Sequence, residues 1–164
     1  MSKGHDLSEI RYTAGQTHQS DQVAIIVSKW NTEITEALYE GALAVLHAAG
    51  VAEENILRLD VPGSYELTSA GHLAFVHHPE LDGVICLGCV IQGETRHFEF
   101  ICQAVSQGIT QLSLQHDKPA IFGVLTPDNQ QQALDRAGGK YGNKGEEAAV
   151  ALLEMIDLRR SMLK

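Results

Sequence analysis

The chain has 164 residues, 44% hydrophobic and 20% charged, and a formal net charge of −9. That balance fits one soluble folded domain that buries roughly 70% of its unfolded surface, and it argues against disorder. The acidic excess argues against a nucleic-acid surface, and no run approaches the ~20 apolar residues a membrane span needs.

Residues 1–21 are polar and lack the apolar core of a signal peptide. They are expected to form a mobile arm, with a weakly signalled strand around Ile10–Thr17. Residues 22–164 are then a single α/β domain, and the expected compartment is the cytoplasm. Val23 to Lys29 is a mostly apolar run, the mark of a strand covered on both faces. Trp30-Asn31 follow at its carboxyl end. A helix begins with Asn31 or Thr32 as its cap. Ile34, Leu38, Ala42, Val45 and Ala49 form its inner stripe, and Gly50 is placed to end it in a left-handed conformation.

Leu57, Leu59 and Val61 alternate with Arg58 and Asp60, which predicts a strand with one polar face at a sheet edge. Pro62-Gly63 marks a turn, and Ser64 caps a helix that runs to about His77 and packs through Leu67, Ala70, Leu73 and Ala74. Gly83 to Ile91 is a third strand. The next helix runs from about Arg96 to Gln115, with Phe98, Ile101, Val105, Ile109 and Leu112 inward. Pro119 to Leu125 is a fourth strand. Thr126-Pro127 predicts the start of a short helix reaching about Ala137. Gly138 to Lys144 reads as a glycine- and lysine-rich loop. The last helix, about Gly145 to Leu163, faces inward through Ala148, Leu152, Met155 and Ile156.

This alternation implies a three-layer α/β sandwich: a four-stranded parallel sheet in flavodoxin-like order, with helices on both faces. In such sheets ligands collect at the carboxyl ends of the strands. Trp30, Ser64-Tyr65-Glu66, Ile91 to His97, and Thr126 are therefore expected along one rim. The stretch Gly93-Glu94-Thr95-Arg96-His97 joins a strand end to a helix start, whose free N–H groups attract anions. His97 in the first turn is placed to take and return protons. Trp30 can stack a planar ring, although a lone tryptophan is more often a filler. Glu66 can serve the helix dipole or bind ligand hydroxyls, and the residues leave both uses open. Arg136, Lys140 and Lys144 flank glycines and suit a small anion, with arginine giving a two-pronged contact.

Other motifs are excluded. Gly139-Lys140 is followed by Tyr141, so there is no Walker loop, and no G-x-G-x-x-G follows a strand. Cys86 and Cys89 lie three apart on a strand, so their sulfurs point to opposite faces and form no redox pair. With Cys102 the count is three, and all sit in apolar segments, so no disulfide framework is expected. His5, His18, His47, His72, His77, His78 and His116 show no metal-ligand spacing.

Five segments in order resemble the lumazine synthase family: Val27-Ser28-Lys29-Trp30-Asn31, Val61-Pro62-Gly63-Ser64-Tyr65-Glu66, Gly93 to Glu99, Phe122-Gly123-Val124-Leu125-Thr126, and Arg136 to Gly145. The resemblance covers about Val23 to Leu158. It implies condensation of 5-amino-6-(D-ribitylamino)uracil with 3,4-dihydroxy-2-butanone 4-phosphate, a step of riboflavin biosynthesis, with neither a metal nor an organic cofactor. It implies that the heterocycle stacks on Trp30, where many members carry phenylalanine, and that Glu66 binds the ribityl hydroxyls. Asn31, Ser64, Tyr65, Cys89, Val90 and Ile91 would line the rest of the substrate pocket. Gly93, Glu94, Thr95 and Arg136 would hold the phosphate, with Lys144 and Glu147 pairing nearby and Phe122 lining an adjacent subunit's pocket. Gln92 stands where relatives are often basic. His97 would be the catalytic proton shuttle.

The family forms pentamers with sites between subunits, and some members assemble 60-subunit shells. The segment Gly138 to Gly142 carries no insertion, so a shell is permitted. The expected partner of such a shell is riboflavin synthase; nucleic acid and membranes are not expected partners. A flavin- or lumazine-binding carrier without catalysis, or a purely structural shell protein, would be the alternatives, and product formation discriminates them.

Overall fold

Runs of aliphatic residues form four parallel strands in the computed structural model, which describes Tyr12 and residues 17–163. They are β1 (Val23–Ser28), β2 (Ile56–Val61), β3 (Gly83–Cys89) and β4 (Ala120–Leu125), in the order β2-β1-β3-β4. The central strands β1 and β3 are buried along their whole length. The edge strand β2 is half-buried, as its alternating pattern predicts. Val23 sits beside both Ile56 and Gly83, and Cys89 beside Leu125, so the four strands end together at one rim.

Alternate residues of the strands feed two cores. On one face Val23, Ile25, Val27, Ile85 and Leu87 pack against α1 (Thr32–Ala48) and α5 (Lys144–Met162), through Ile34, Leu38, Leu152 and Ile156. On the other, Ala24, Ile26, Val84 and Val124 pack against α2 (Leu67–His77) and α3 (His97–His116), through Leu67, Phe75, Val105 and Ile109. Cys89 belongs to the first core and Cys86 to the second, so the predicted separation of the two sulfurs holds. Burial pushes the Cys86 thiol up to about 12 and the Cys89 thiol up to about 11. Gly50, at φ 90°, follows α1 as expected of its terminator.

Four expectations are corrected. The helix predicted from Thr126-Pro127 starts later, as α4 (Gln130–Asp135), and its cap is Asn129, whose side chain accepts from Gln132 N at 3.0 Å. The cause is tertiary. Leu125 O accepts from Val90 N at 2.8 Å and Pro127 O from Gln92 N at 2.9 Å, which holds residues 125–127 alongside the chain leaving β3. The glycine-rich segment is a hairpin, β5 (Ala137–Gly139) and β6 (Gly142–Asn143), rather than a loop. Its short strands carry Gly138 and Gly142 at φ 98° and 78°, on either side of the Lys140-Tyr141 turn. Leu73 and Met155 are exposed, because the inner stripes of α2 and α5 run through Leu67, Gly71, Ala74 and Phe75, and through Ala148, Ala149, Leu152 and Leu153.

The predicted strand around Ile10–Thr17 lies mostly outside the described residues, as does most of the predicted arm. Within its described part, His18 and Asp21 are fully buried, with His18 Nδ1 2.6 Å from Asp21 Oδ2. Arg160 pairs with Asp21, and the Tyr12 hydroxyl meets His18 and Asp157, which ties this segment to α5. Among the described residues, no helix is long and apolar enough to cross a membrane.

Candidate active site

At the carboxyl ends of β1, β2 and β3 the chain leaves a crevice of about 320 Å³. It is lined by Trp30, by Gly63, Ser64 and Tyr65, by Cys89, Val90 and Ile91, and by His97 and Ile101. Each side chain arrives there for a local reason. Lys29 N donates to Val61 O at 2.8 Å and Trp30 N to Pro62 O at 3.2 Å, which carries the β1–β2 pairing past both strands. The indole of Trp30 is thereby set beside Gly63 with 73% of its surface open. Asn31, at φ 62°, turns the chain left-handed into α1, and its Nδ2 donates to Cys89 O at 3.0 Å. That bond locks the end of β3 to the start of α1.

A single tight turn, Ser64–Glu66, leads into α2. Glu66 Oε2 accepts from Gly63 N at 3.0 Å and so braces the turn. Ser64 is 5% exposed, and among the described residues its buried hydroxyl has no hydrogen-bond partner, so it does not cap the helix as expected. Tyr65 stands open beside it. Residues 90–92 continue past β3, held by Leu125 and Pro127, and deliver Val90 and Ile91 to the wall. The turn of Gly93, Glu94 and Thr95 is exposed, and Thr95 Oγ1 accepts from His97 N at 3.4 Å. His97, the first residue of α3, and Ile101, one turn on, share the helix face that meets the crevice.

Not every expected residue reaches this crevice. Asn31 and Glu66 brace its walls instead of lining them. Thr126 is exposed beyond β4, and Phe122 packs half-buried on the α2/α3 side of β4. Gly93, Glu94 and Thr95 lie beside the crevice, outside its lining. Arg136 lies at the hairpin. Its guanidinium donates to Glu147 Oε2 at 3.1 Å and to Tyr141 O at 2.5 Å, and pairs electrostatically with Glu147 Oε1 at 2.9 Å. Lys144 Nζ reaches Glu147 Oε2 at 3.3 Å. The Glu147 side chain is only 7% exposed, so two cations share one nearly buried carboxylate and leave a net positive corner. Sequence reasoning missed Gly63 and Ile101 as crevice residues. The signal for Ile101 was its i+4 spacing from His97.

Chemically the crevice offers an open aromatic plate, an apolar back wall and one imidazole. The Cys89 thiol in that wall, with its pKa raised by burial, stays protonated at neutral pH and is not a ready nucleophile. The arrangement therefore suits a planar heterocycle held against the indole while protons move through His97.

Residues 20–160 match the family model described as 6,7-dimethyl-8-ribityllumazine synthase. A protein of that name from Cytophaga hutchinsonii is 60% identical over 132 residues, which is 80% of this chain and 82% of that protein. One from Parabacteroides distasonis is 49% identical over 152 residues, 93% of this chain and 94% of that protein. One from Porphyromonas gingivalis is 47% identical over 156 residues, 95% of this chain and 96% of that protein. With the matched span enclosing every wall of the crevice and the basic corner, the chain belongs to the 6,7-dimethyl-8-ribityllumazine synthase family.

Proposed function

We propose that this protein condenses 5-amino-6-(D-ribitylamino)uracil with 3,4-dihydroxy-2-butanone 4-phosphate, giving 6,7-dimethyl-8-ribityllumazine, orthophosphate and water, as a cytoplasmic homo-oligomer. The observation that carries the reading is the crevice itself: three strand ends bring an open tryptophan and the histidine of a helix start to one lining. The family relationship supports the reaction type.

The pyrimidine stacks on Trp30, and the ribityl chain runs toward Glu66. The phosphate sits at the amides of Gly93, Glu94 and Thr95, where the start of α3 favours an anion. The substrate amine attacks the ketone to form an imine. Phosphate loss, ring closure and dehydration follow, with His97 relaying protons. Most of the acceleration comes from holding the two reactants side by side, which can remove about 7–11 kcal/mol of barrier.

Arg136, Lys144 and Phe122 do not line the crevice of their own chain. The reading therefore places them in the crevice of a neighbouring copy, within a pentamer. The openness of Trp30 and Tyr65 in the single chain supports this, since both would be covered by such a neighbour. The short β5–β6 hairpin permits further assembly into a 60-subunit shell. Mixing the purified protein with both substrates and following absorbance tests the activity; a protein that binds the lumazine but never forms it would be a carrier. Sedimentation tests the assembly, and a species smaller than a pentamer at micromolar concentration would refute the shared site.

A further inference from the structure

Two histidines from different helices meet at the far end of α3. His72 on α2 and His116, the last residue of α3, bring Nδ1 and Nε2 to 3.1 Å, although 44 residues separate them in the chain. Their rings lie 5.1 Å apart at 52°. The scaffold beneath them is tight. A Cβ at Gly71, the neighbour of His72, would come within 2.5 Å of Leu112 Cδ1, one turn before His116. The Phe75 ring lies 4.9 Å from the His116 ring and holds its orientation. His72 is exposed and His116 half-buried, so the pair is both fixed and open to water.

We propose that His72 and His116 form a binding site for a divalent transition-metal ion of the copper, nickel and zinc class. Imidazole nitrogen suits these ions. With metal–nitrogen bonds of about 2.0–2.1 Å, two nitrogens on one ion at square or tetrahedral angles lie about 2.9–3.4 Å apart. The 3.1 Å separation falls within that window. In the metal-free protein one ring donates its N–H to the other. On binding, the donor ring carries its proton on its other nitrogen, both lone pairs face the ion, and no net proton is released. Among the described residues no group of three or more His, Cys, Asp or Glu is placed to hold a metal, so water fills the remaining positions. The Lys118 ammonium lies 5.6 Å over the nearby Phe75 ring and donates to Pro79 O, and its charge opposes the ion. That charge acts alike on all three divalent ions, so the intrinsic affinity order of imidazole sites decides and favours copper(II).

The site lies 19 residues along α3 from His97, about 28 Å at 1.5 Å per residue, so the ion would fasten α2 to α3 and take no part in the reaction. The test titrates copper(II), nickel(II) and zinc(II) separately into the full-length protein, with electron paramagnetic resonance of the copper sample. Expected are one copper per chain and coupling to two imidazole nitrogens. His72→Ala and His116→Gln should each weaken that binding by at least about tenfold and remove the two-nitrogen pattern, while His77→Ala leaves both intact. Copper should also raise the melting temperature of the wild type and of neither variant. Equal affinity in wild type and both variants, or a one-nitrogen copper spectrum in the wild type, would overturn the assignment.

Discussion

Gly88→Ala tests how the core of β3 sets the crevice. Gly88 is buried in β3, where a Cβ would stand 2.4 Å from Ser64 Oγ, 3.1 Å from Leu67 Cδ1 and 3.2 Å from Ser64 Cβ. Ordinary contact between such atoms begins near 3.4 Å, so Ser64 must retreat by about 1 Å or swing its hydroxyl into the crevice. Either response alters the wall the substrate meets. Overpacking of this kind costs about 1–3 kcal/mol, which for a chain of this size lowers the melting temperature by about 2–12 °C. A displacement of about 1 Å beside the reacting groups can reduce turnover by about 100-fold. Ser64→Ala removes the atom in the tightest contact, and that hydroxyl makes no hydrogen bond to lose. The double variant should therefore recover most of both losses. Thermal unfolding at fixed protein concentration and steady-state turnover measure the cycle. Additive effects, or a Gly88→Ala enzyme within twofold of wild type, would refute the reasoning.

The remaining expectations concern the site and the two cores. His97→Ala should slow turnover by about 10²-fold without abolishing it, and Arg136→Ala should be worse, both read at saturating butanone phosphate; a dead His97 variant that still binds both substrates would place the catalysis in the imidazole. Asn143→Ala should destabilise by about 2 kcal/mol, seen in denaturant unfolding, because Asn143 caps α5 through Gly145 N at 2.8 Å and also donates to Ala37 O at 2.9 Å. Asn143→Ser keeps a capping hydroxyl and should recover about half of that. The Cys86 thiol, raised from 9.0 to about 12 by burial, holds its proton in the folded state while the unfolded chain releases it. Stability should thus be unaffected by this group below pH 9 and fall between pH 9 and 12, by at most about 1.4 kcal/mol per pH unit. Cys86→Ala should flatten that limb in unfolding curves taken across the range, and an unchanged slope would count against the shift.

The chain's own periodicities determined most of the architecture. Continuous apolar runs at Val23–Ser28 and Gly83–Cys89 mark central strands, and the alternation at Ile56–Val61 marks an edge. The period of two also assigns Cys86 and Cys89 to opposite cores before any packing is known. Because parallel strands end on one rim, the same reading located Trp30, Ser64, Tyr65, Ile91 and His97 together. The partners of long polar side chains were decided elsewhere. Glu66 and Asn31 find backbone groups at Gly63 and Cys89, and Arg136 finds Glu147, so none of the three lines the crevice of its own chain. Pro127 O is taken by Gln92, which delays α4, and His72 meets His116 across 44 residues. Periodicity fixes which face a residue takes within its own element; hydrogen bonds and ring contacts between elements depend on where the folded layers bring distant segments, and no local pattern encodes that distance.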